Sequence, residues 1–434
     1  MRQLYTALWW IALPLVLLRL WRRGRQEPGY RQQIGERLGF YDQFDTVESK
    51  PPIIWLHAVS VGETRAAQPL IEALLLAYPR HTVLLTHMTA TGRATGQQLF
   101  SRNAARVVQS YFPYDTGWMC ERFLRYFKPE ICILMETEVW PNMVRQCVRQ
   151  RVPVMLANAR LSARSLRRGQ RFGAILLEAA AGIDCVAAQS EADAQRLRLF
   201  GARRVNVTGS IKFDVQAPPE MVAQGRLWRK DFGTRPVLLC ASTREGEEPL
   251  ILEALVQLRQ RDFLTVLVPR HPQRFDDVAA MAVAHGLTLQ RRSAGFEEMS
   301  GATDIVLGDS MGEMFAYYAA CDVAFIGGSL LPLGGQNLIE ASSLGKPVLI
   351  GPHTFNFQLI SEDAEKAQAA LRITDASAML QAAQALFSDA SRYATMASSA
   401  SAFASHHQGA TARTMTLIAP FLDASTVGKR TSGE

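Results

Sequence analysis

The segment His57-Ala58-Val59-Ser60-Val61-Gly62-Glu63 follows the apolar run Ile53–Leu56 directly and precedes an amphipathic stretch that predicts a helix from near Thr64. This puts a carboxylate at the carboxyl end of a strand and at a helix N-terminus. Two chemistries fit that position. Glu63 complements the helix dipole, an effect of about 0.3–1 kcal/mol, or it acts as a general base toward a ligand at the strand end. Gly62 allows a tight turn that brings the next side chain to the edge, but spacing alone leaves both readings open.

A second pair of acids, Glu136 and Glu138, stands in Met135-Glu136-Thr137-Glu138-Val139-Trp140-Pro141-Asn142, again after an apolar run. Acids one residue apart suit a metal ion if the strand continues past them. Trp140-Pro141 argues that it stops there, which makes Glu136 equally a hydrogen-bonding carboxylate. Lys212, in Gly209-Ser210-Ile211-Lys212-Phe213-Asp214, is a cation able to stabilise charge on a phosphate leaving group, or an ordinary solvated lysine. Arg160, Arg164, Arg167, Arg168 and Arg171 form a basic run suited to an anionic lipid headgroup.

Later in the chain, Pro269-Arg270-His271-Pro272 ends a strand-like run, and Gly308-Asp309-Ser310-Met311-Gly312-Glu313 leads from a strand to a helix. Phe325-Ile326-Gly327-Gly328-Ser329 and then Gly334-Gly335-Gln336-Asn337-Leu338-Ile339-Glu340 read as a strand, paired glycines and a helix opening at Asn337. Backbone N–H groups and a helix dipole would cradle a phosphate there, with Glu340 accepting from ribose hydroxyls. The glycines follow neither G-x-G-x-x-G nor G-K-[ST], so a mononucleotide is expected.

Strand-like runs at Ile53–Leu56, Val83–Thr86, Ile131–Met135, Val154–Ala157, Cys185–Ala188 and Val205–Thr208 alternate with helix-length segments such as Arg65–Tyr78 and Glu191–Phe200. The alternation predicts right-handed βαβ units and a parallel sheet. After the turn-rich Gln216-Ala217-Pro218-Pro219, a second series runs through Val237–Cys240, Leu264–Val268, Ile305–Leu307, Val323–Ile326 and Val348–Ile350. The expected fold is α/β, with two Rossmann-like domains, 26–216 and 217–425, whose strand ends face an interdomain cleft. Residues 426–434 are expected to be a disordered tail. This is the GT-B arrangement of glycosyltransferases, which some epimerases share.

Residues 1–25 predict a membrane anchor. Leu4 to Leu18 carries no charge, and Arg19, Arg22, Arg23 and Arg25 follow. The run is short for a full span of about 20 residues unless the first arginines snorkel, so it either spans or lodges in one leaflet. Trp9, Trp10 and Trp21 bracket it as interfacial aromatics do, and the basic flank places the remainder on the cytoplasmic side. The basic residues follow the apolar core, which argues against a cleaved signal. Six cysteines, never in C-x-x-C, suggest no zinc knuckle or disulfide framework and fit a reduced compartment. The +7 charge lacks the interleaved aromatics of a nucleic-acid surface.

Taken together, HAVSVGE, METEVWPN, NARLSARS, GSIKFD, PRHP, GDSMGE, FIGGSL, GGQNLIEA and GPHTFNF resemble the 3-deoxy-D-manno-octulosonic acid (Kdo) transferases of Gram-negative lipid A biosynthesis, nearly end to end. The resemblance implies a GT-B fold and inverting transfer of Kdo from CMP-Kdo to a hydroxyl of the lipid A precursor, an acylated glucosamine disaccharide bisphosphate, at the inner membrane. It implies Glu63 as general base, Glu136 and Lys212 as transition-state stabilisers, and CMP contacts at Arg270, His271, Met311, Gly312, Glu313, Asn337, Leu338, Ile339 and Glu340. No metal or other cofactor is implied, because the leaving group carries a single phosphate. A UDP-sugar epimerase on the same fold, or another membrane-associated lipid glycosyltransferase, is the alternative.

Overall fold

The computed structural model describes residues 2–25, 27–41, 51–171, 173–214, 216–296 and 300–430, the side chains of 170, 171 and 424–430 aside. Among the described residues, fourteen strands fall into two sheets. The first comprises β1 (Ile53–His57), β2 (Thr82–His87), β3 (Val107–Tyr111), β4 (Ile131–Met135), β5 (Val154–Ala159), β6 (Cys185–Ala188) and β7 (Val205–Val207). Its order is β3-β2-β1-β4-β5-β6-β7, and every pairing is parallel. The chain therefore reverses its direction of winding between β1 and β4. This topological switch point is where open α/β sheets bind ligands.

The second sheet comprises β8 (Val237–Thr243), β9 (Leu264–Pro269), β10 (Leu289–Arg291), β11 (Ile305–Leu307), β12 (Val323–Ile326), β13 (Val348–Ile350) and β14 (Ala370–Arg372). It runs β10-β11-β9-β8-β12-β13-β14, also parallel, with its switch point between β8 and β12. All the expected strands are present. The three additional ones, β3, β10 and β14, are sheet edges. An edge strand is not buried on both sides, so its sequence need not be a continuous apolar run.

The chain divides into two compact units, Met1–Asp214 with Gln408–Glu434, and Val215–His407. This corrects the expected division, which left everything from 217 to 425 in the second domain. The helix Ala410–Arg430 returns to the first unit, where Ala410, Ile418 and Leu422 join the core formed by Ala67, Leu70, Ile71 and Leu74 of helix Val61–Ala77. Asp214 fixes its start: Oδ1 accepts from the N–H groups of Gly409 (2.5 Å) and Ala410 (3.2 Å), and Oδ2 accepts from that of Thr411. A carboxylate on unsatisfied N–H groups at a helix N-terminus is stabilising for both groups. The helix runs through Arg430, and 431–434 of the expected tail lie outside the described residues.

Arg2–Arg23 forms a 22-residue helix, long and apolar enough to cross a membrane. It is not surrounded by solvent. Trp9, Leu13, Val16, Leu17 and Leu20 pack with Leu38, Tyr114 and Met119 of the first unit. Of the three bracketing tryptophans, Trp9 turns inward against the Tyr114 ring at 5.7 Å, while Trp10 and Trp21 face outward. The six cysteines are free and buried.

Ile418→Ala is expected to cost about 2–5 kcal/mol and to raise hydrogen exchange in helix Val61–Ala77. Unchanged exchange in that helix would show that the terminal helix does not belong to the first core.

Candidate active site

Glu63 lies in the first turn of helix Val61–Ala77, which opens at Val61, three residues earlier than the sequence predicts. Ser60 is the N-cap, and Ser60 and Glu63 form a capping box. The Ser60 hydroxyl donates to Glu63 Oε1 (3.1 Å), the Val59 N–H donates to Oε2 (2.7 Å), and Ser60 Oγ accepts from the Glu63 N–H (3.5 Å). The helix-cap role is thus realised in full. The carboxyl nevertheless behaves unlike a surface cap. Burial pushes its pKa up to about 7, against the Val59 hydrogen bond, and the neighbouring charges of Glu138 and Glu136 push the same way. A carboxyl that titrates near neutrality can take and return a proton at working pH.

The Glu136 backbone is left-handed, with φ of 59°. This ends the strand, turns the side chain out of the alternating pattern and separates it from Glu138. Glu136 is buried, with Lys212 Nζ at 2.7 Å from Oε1 and Arg160 Nε at 3.2 Å from Oε2. Glu138 is held instead by the Trp140 indole N–H at 2.6 Å. One acid is engaged by two cations and the other by a neutral donor, and among the described residues no group of three His, Cys, Asp or Glu side chains gathers as metal ligands do.

Lys212 sits in a short 3-10 turn, Ile211–Phe213. Asn158, which sequence reasoning did not single out, holds that turn in place. Its Oδ1 accepts from the Ile211 N–H (3.1 Å) and the Ser210 hydroxyl (3.3 Å). It reaches them because it is left-handed, with φ of 53°, at an irregularity in the β5–β6 pairing. An asparagine tolerates that conformation better than most residues, the one signal in NARLSARS that pointed to it. Beyond Arg160 the basic run is helical, Ala163–Arg171. Arg160 alone of its described arginines joins the carboxylates.

His57, in the same motif as Glu63, is structural. It is fully buried, and burial together with the His87 charge lowers its pKa to about 3. Its Nδ1 lies 2.8 Å from the Thr86 hydroxyl, which also accepts from the Trp55 indole (2.8 Å).

In the second unit, Arg270 and His271 follow β9. The His271 imidazole is held below its ordinary pKa by partial burial and by the charges of Arg244, Arg270 and Arg274. Such a knot of positive charge suits an anion. Met311 is exposed, Gly312 adopts φ of 84°, and Glu313 accepts from Arg292 (3.1 Å), Gln224 (3.2 Å) and the Ser310 hydroxyl. Burial raises the Tyr318 pKa; the charge of Glu340 pushes the same way and that of Arg270 the opposite way.

Two expectations for this unit are corrected. The helix opens at Ile339, not Asn337, and has five residues, so its dipole is slight. Asn337 Oδ1 accepts from the Ile339 N–H at 3.1 Å. Leu338 and Ile339 point into the core and offer a ligand only backbone. Nor are the N–H groups of the Gly327-Gly328-Ser329 turn a vacant cradle. The buried carboxylate of Glu247 accepts from Gly328 (2.6 Å), Leu330 (2.9 Å) and Arg244 (2.9 Å). An internal anion therefore occupies and shapes the turn. Glu247 follows β8 as Glu63 follows β1, a strand–turn–acid pattern that could have identified it.

The sequence matches the family described as 3-Deoxy-D-manno-octulosonic-acid transferase (kdotransferase) over residues 32–215. It is 45% identical to the 3-deoxy-D-manno-octulosonic acid transferase of Bordetella pertussis, an alignment covering 94% of this chain and 96% of that one. The chain belongs to the Kdo transferase family. The transferase is also 35% identical to the Haemophilus influenzae enzyme of the same name, over 97% of this chain and 99% of that one. In fold it is similar to a glycosyltransferase from Rickettsia africae, with a TM-score of 0.58, 13% identity, and coverage of 86% and 99%. It is a glycosyltransferase of α/β, GT-B-like architecture.

The raised pKa of Glu63 has a consequence for stability. Its folded-state pKa of about 7 lies above the unfolded value of 4.5, so the folded state binds the proton more tightly. Stability is then greatest below pH about 4.5 and is lost as pH rises through about 7. Glu63→Gln keeps the capping geometry without the charge, and its melting temperature relative to wild type is expected to be higher at pH 8 than at pH 5. An equal difference at both values would show that the carboxyl is not desolvated.

Proposed function

We propose that the transferase moves Kdo from CMP-Kdo to a hydroxyl of the lipid A precursor, with inversion, on the cytoplasmic face of the inner membrane. The observation that carries this reading is the presence at one switch point of a near-neutral carboxyl, Glu63, and of the buried Glu136 with its two cations, Lys212 and Arg160, in a chain of this family. Glu63 takes the proton from the acceptor's primary hydroxyl as that oxygen attacks the anomeric carbon of Kdo. The attack comes from the face opposite CMP, and the bond to the CMP phosphate breaks as the new glycosidic bond forms.

An alcohol is far less acidic than a carboxylic acid, so the proton moves late, in concert with bond formation. A carboxyl held at about 7 is a stronger base than one at 4.5, which narrows that gap. Lys212 stabilises the charge on the departing phosphate, with Glu136 and Arg160 fixing its ammonium. The basic knot of Arg270, His271 and their arginine neighbours supports a CMP site that also takes in Met311, Gly312, Glu313, the backbone of Asn337, Leu338 and Ile339, and Glu340. A leaving group with one phosphate has no pyrophosphate to bridge, and we propose that no metal takes part. The apolar N-terminal helix supports membrane anchoring, which places the enzyme beside a lipid acceptor. A UDP-sugar epimerase would use neither the helix nor an acceptor.

Purified full-length protein given CMP-Kdo and lipid A precursor is expected to release CMP only when the lipid is present, with Kdo appearing on the lipid by mass spectrometry. Release without lipid, or none from folded protein, would sink this reading. The wild type is expected to show kcat/KM rising through pH about 7, and Glu63→Gln to lower turnover about 10²–10⁴-fold and abolish that rise. Lys212→Ala is expected to lower turnover about 10²–10³-fold.

A further inference from the structure

The N-terminal helix is docked on the first unit along its whole length, and by polar groups as well as apolar ones. Arg2 pairs with Glu178, the Tyr5 hydroxyl donates to Asp115 Oδ2 at 2.9 Å, and Thr6 Oγ1 accepts from Asn142 Nδ2 at 3.2 Å. Asp115 is itself buried and accepts from the N–H groups of Asn142 (3.1 Å) and Met143 (2.8 Å), which ties the anchor to the start of helix Pro141–Arg149. A helix held this way cannot be surrounded by lipid: spanning would draw Glu178 and Asp115 into hydrocarbon or break every one of these contacts.

The opposite face is apolar and outward. Leu4, Leu8, Trp10, Ile11, Leu15, Leu18 and Trp21 are 44–72% exposed, and Arg19, Arg22, Arg23 and Arg25 follow at its basic end. Beside the helix, against helix Pro141–Arg149, lies a cavity of about 480 Å³ whose wall includes Arg2, Gln3, Trp10, Arg145 and Arg149. One carboxylate, Glu178, stands by this wall: it pairs with Arg2, and its pKa is lowered by that bond and by the charges of Arg2 and Arg145. Among the described residues neither Arg145 nor Arg149 has a carboxylate partner within ion-pair distance. The cavity extends from Asn142 to Arg149 along one helix face, about 10 Å away from the strand ends that carry Glu63 and Glu136. The surface continues at Gly117 into exposed Trp118, whose ring and that of Phe40 both carry the Arg122 guanidinium.

Resting on the reading of this helix as a membrane anchor, we propose that it lies in the membrane plane within one leaflet, and that the cavity beside it binds the phosphate headgroup of an anionic glycerophospholipid. The acyl chains then follow the outward row from Leu4 to Leu18, the guanidinium groups take the phosphate oxygens in the forked geometry that suits them, and Trp10 sits at headgroup level. Diffuse attraction of a basic protein to an anionic surface needs no cavity; an arginine-lined one beside an apolar face selects a lipid that carries both chemistries.

The test is flotation of the full-length protein with phosphatidylcholine vesicles, with and without phosphatidylglycerol. The wild type is expected to bind both, and the anionic vesicles more tightly. Arg145→Gln/Arg149→Gln is expected to lose about tenfold or more of the anionic gain while still binding neutral vesicles. The control pair Arg80→Gln/Arg102→Gln, exposed elsewhere on the first unit, should retain the gain. A double variant that keeps the gain, or a control that loses as much, overturns the site. So does a raised KM for acceptor in detergent micelles with vesicle binding unchanged, which would make the cavity an acceptor subsite. Gln3→Cys and Arg25→Cys should react with a membrane-impermeant maleimide from the same side of sealed vesicles; reaction from opposite sides overturns the in-plane placement. Wild-type protein that floats with neither vesicle would instead reject the anchor reading itself.

Discussion

Between β1 and β4 the crossover connections leave the sheet in opposite directions, so neither covers the carboxyl ends of the two central strands. Everything chemical in the first unit follows from that uncovered edge. Glu63 and Glu136 are the first acids after β1 and β4, and the Lys212 turn comes from the far side of the sheet to meet them. The edge is also where a backbone leaves its hydrogen-bonding ladder and helix N-termini expose N–H groups. A carboxylate there is held by N–H donors yet still reaches a ligand. Glu63 takes both roles: Val59 and Ser60 orient it, and partial burial raises its pKa.

The second unit meets the same constraint at its own switch point in a different way. Glu247, after β8, turns inward and spends its carboxylate on the N–H groups of the turn after β12. The glycines of that turn are therefore explained by shape. At Gly327 a Cβ would lie 2.6 Å from the Ser242 backbone, and Gly328 adopts φ of 70°. The residues left for the proposed nucleotide site are the cationic ones around His271 and the loop ends at Gly312 and Asn337. Comparable edges thus differ, one presenting a titrating carboxyl and the other a group of positive charges around His271.

The N-terminal helix has two faces with different partners. Its inward face behaves as part of the first core, closed by buried polar contacts through Asp115. On its outward face Trp21 meets the guanidinium groups of Arg25 and Arg31, while Leu4, Leu8, Ile11 and Leu15 stand exposed. A helix that is apolar all round would read the same in sequence whether it crossed a bilayer or lay along a domain. What distinguishes the two is the polar set at its start, Arg2, Tyr5 and Thr6, spaced three and one apart so that all fall on one side.

The strand–helix alternation, the two sheets, the apolar N-terminal helix and the acids at strand ends were legible in the sequence, because buried parallel strands must be apolar runs and loops at their carboxyl ends must carry the polar chemistry. The edge strands β3, β10 and β14 were not legible, since Gln109, Ser110 and Arg291 break the pattern that two-sided burial imposes. The membership of the terminal helix was equally hidden: Ile418 and Leu422 form an apolar stripe that either core would accept, and only the carboxylate of Asp214 beside Gly409 decides between them. Glu136 and Lys212 lie 76 residues apart by number and carry no signal of each other, and although an acid after a strand marks Glu247 and an asparagine tolerant of the left-handed region marks Asn158, the distant N–H groups they hold carry no such mark. Sequence determined which chemistry was available and at which strand ends it stood, because local burial and turn propensity are written residue by residue. The pairing of charges, the desolvation that brings Glu63 to about 7 and the commitment of the glycine turn to Glu247 depend on residues distant in the chain, and only the tertiary structure decided them.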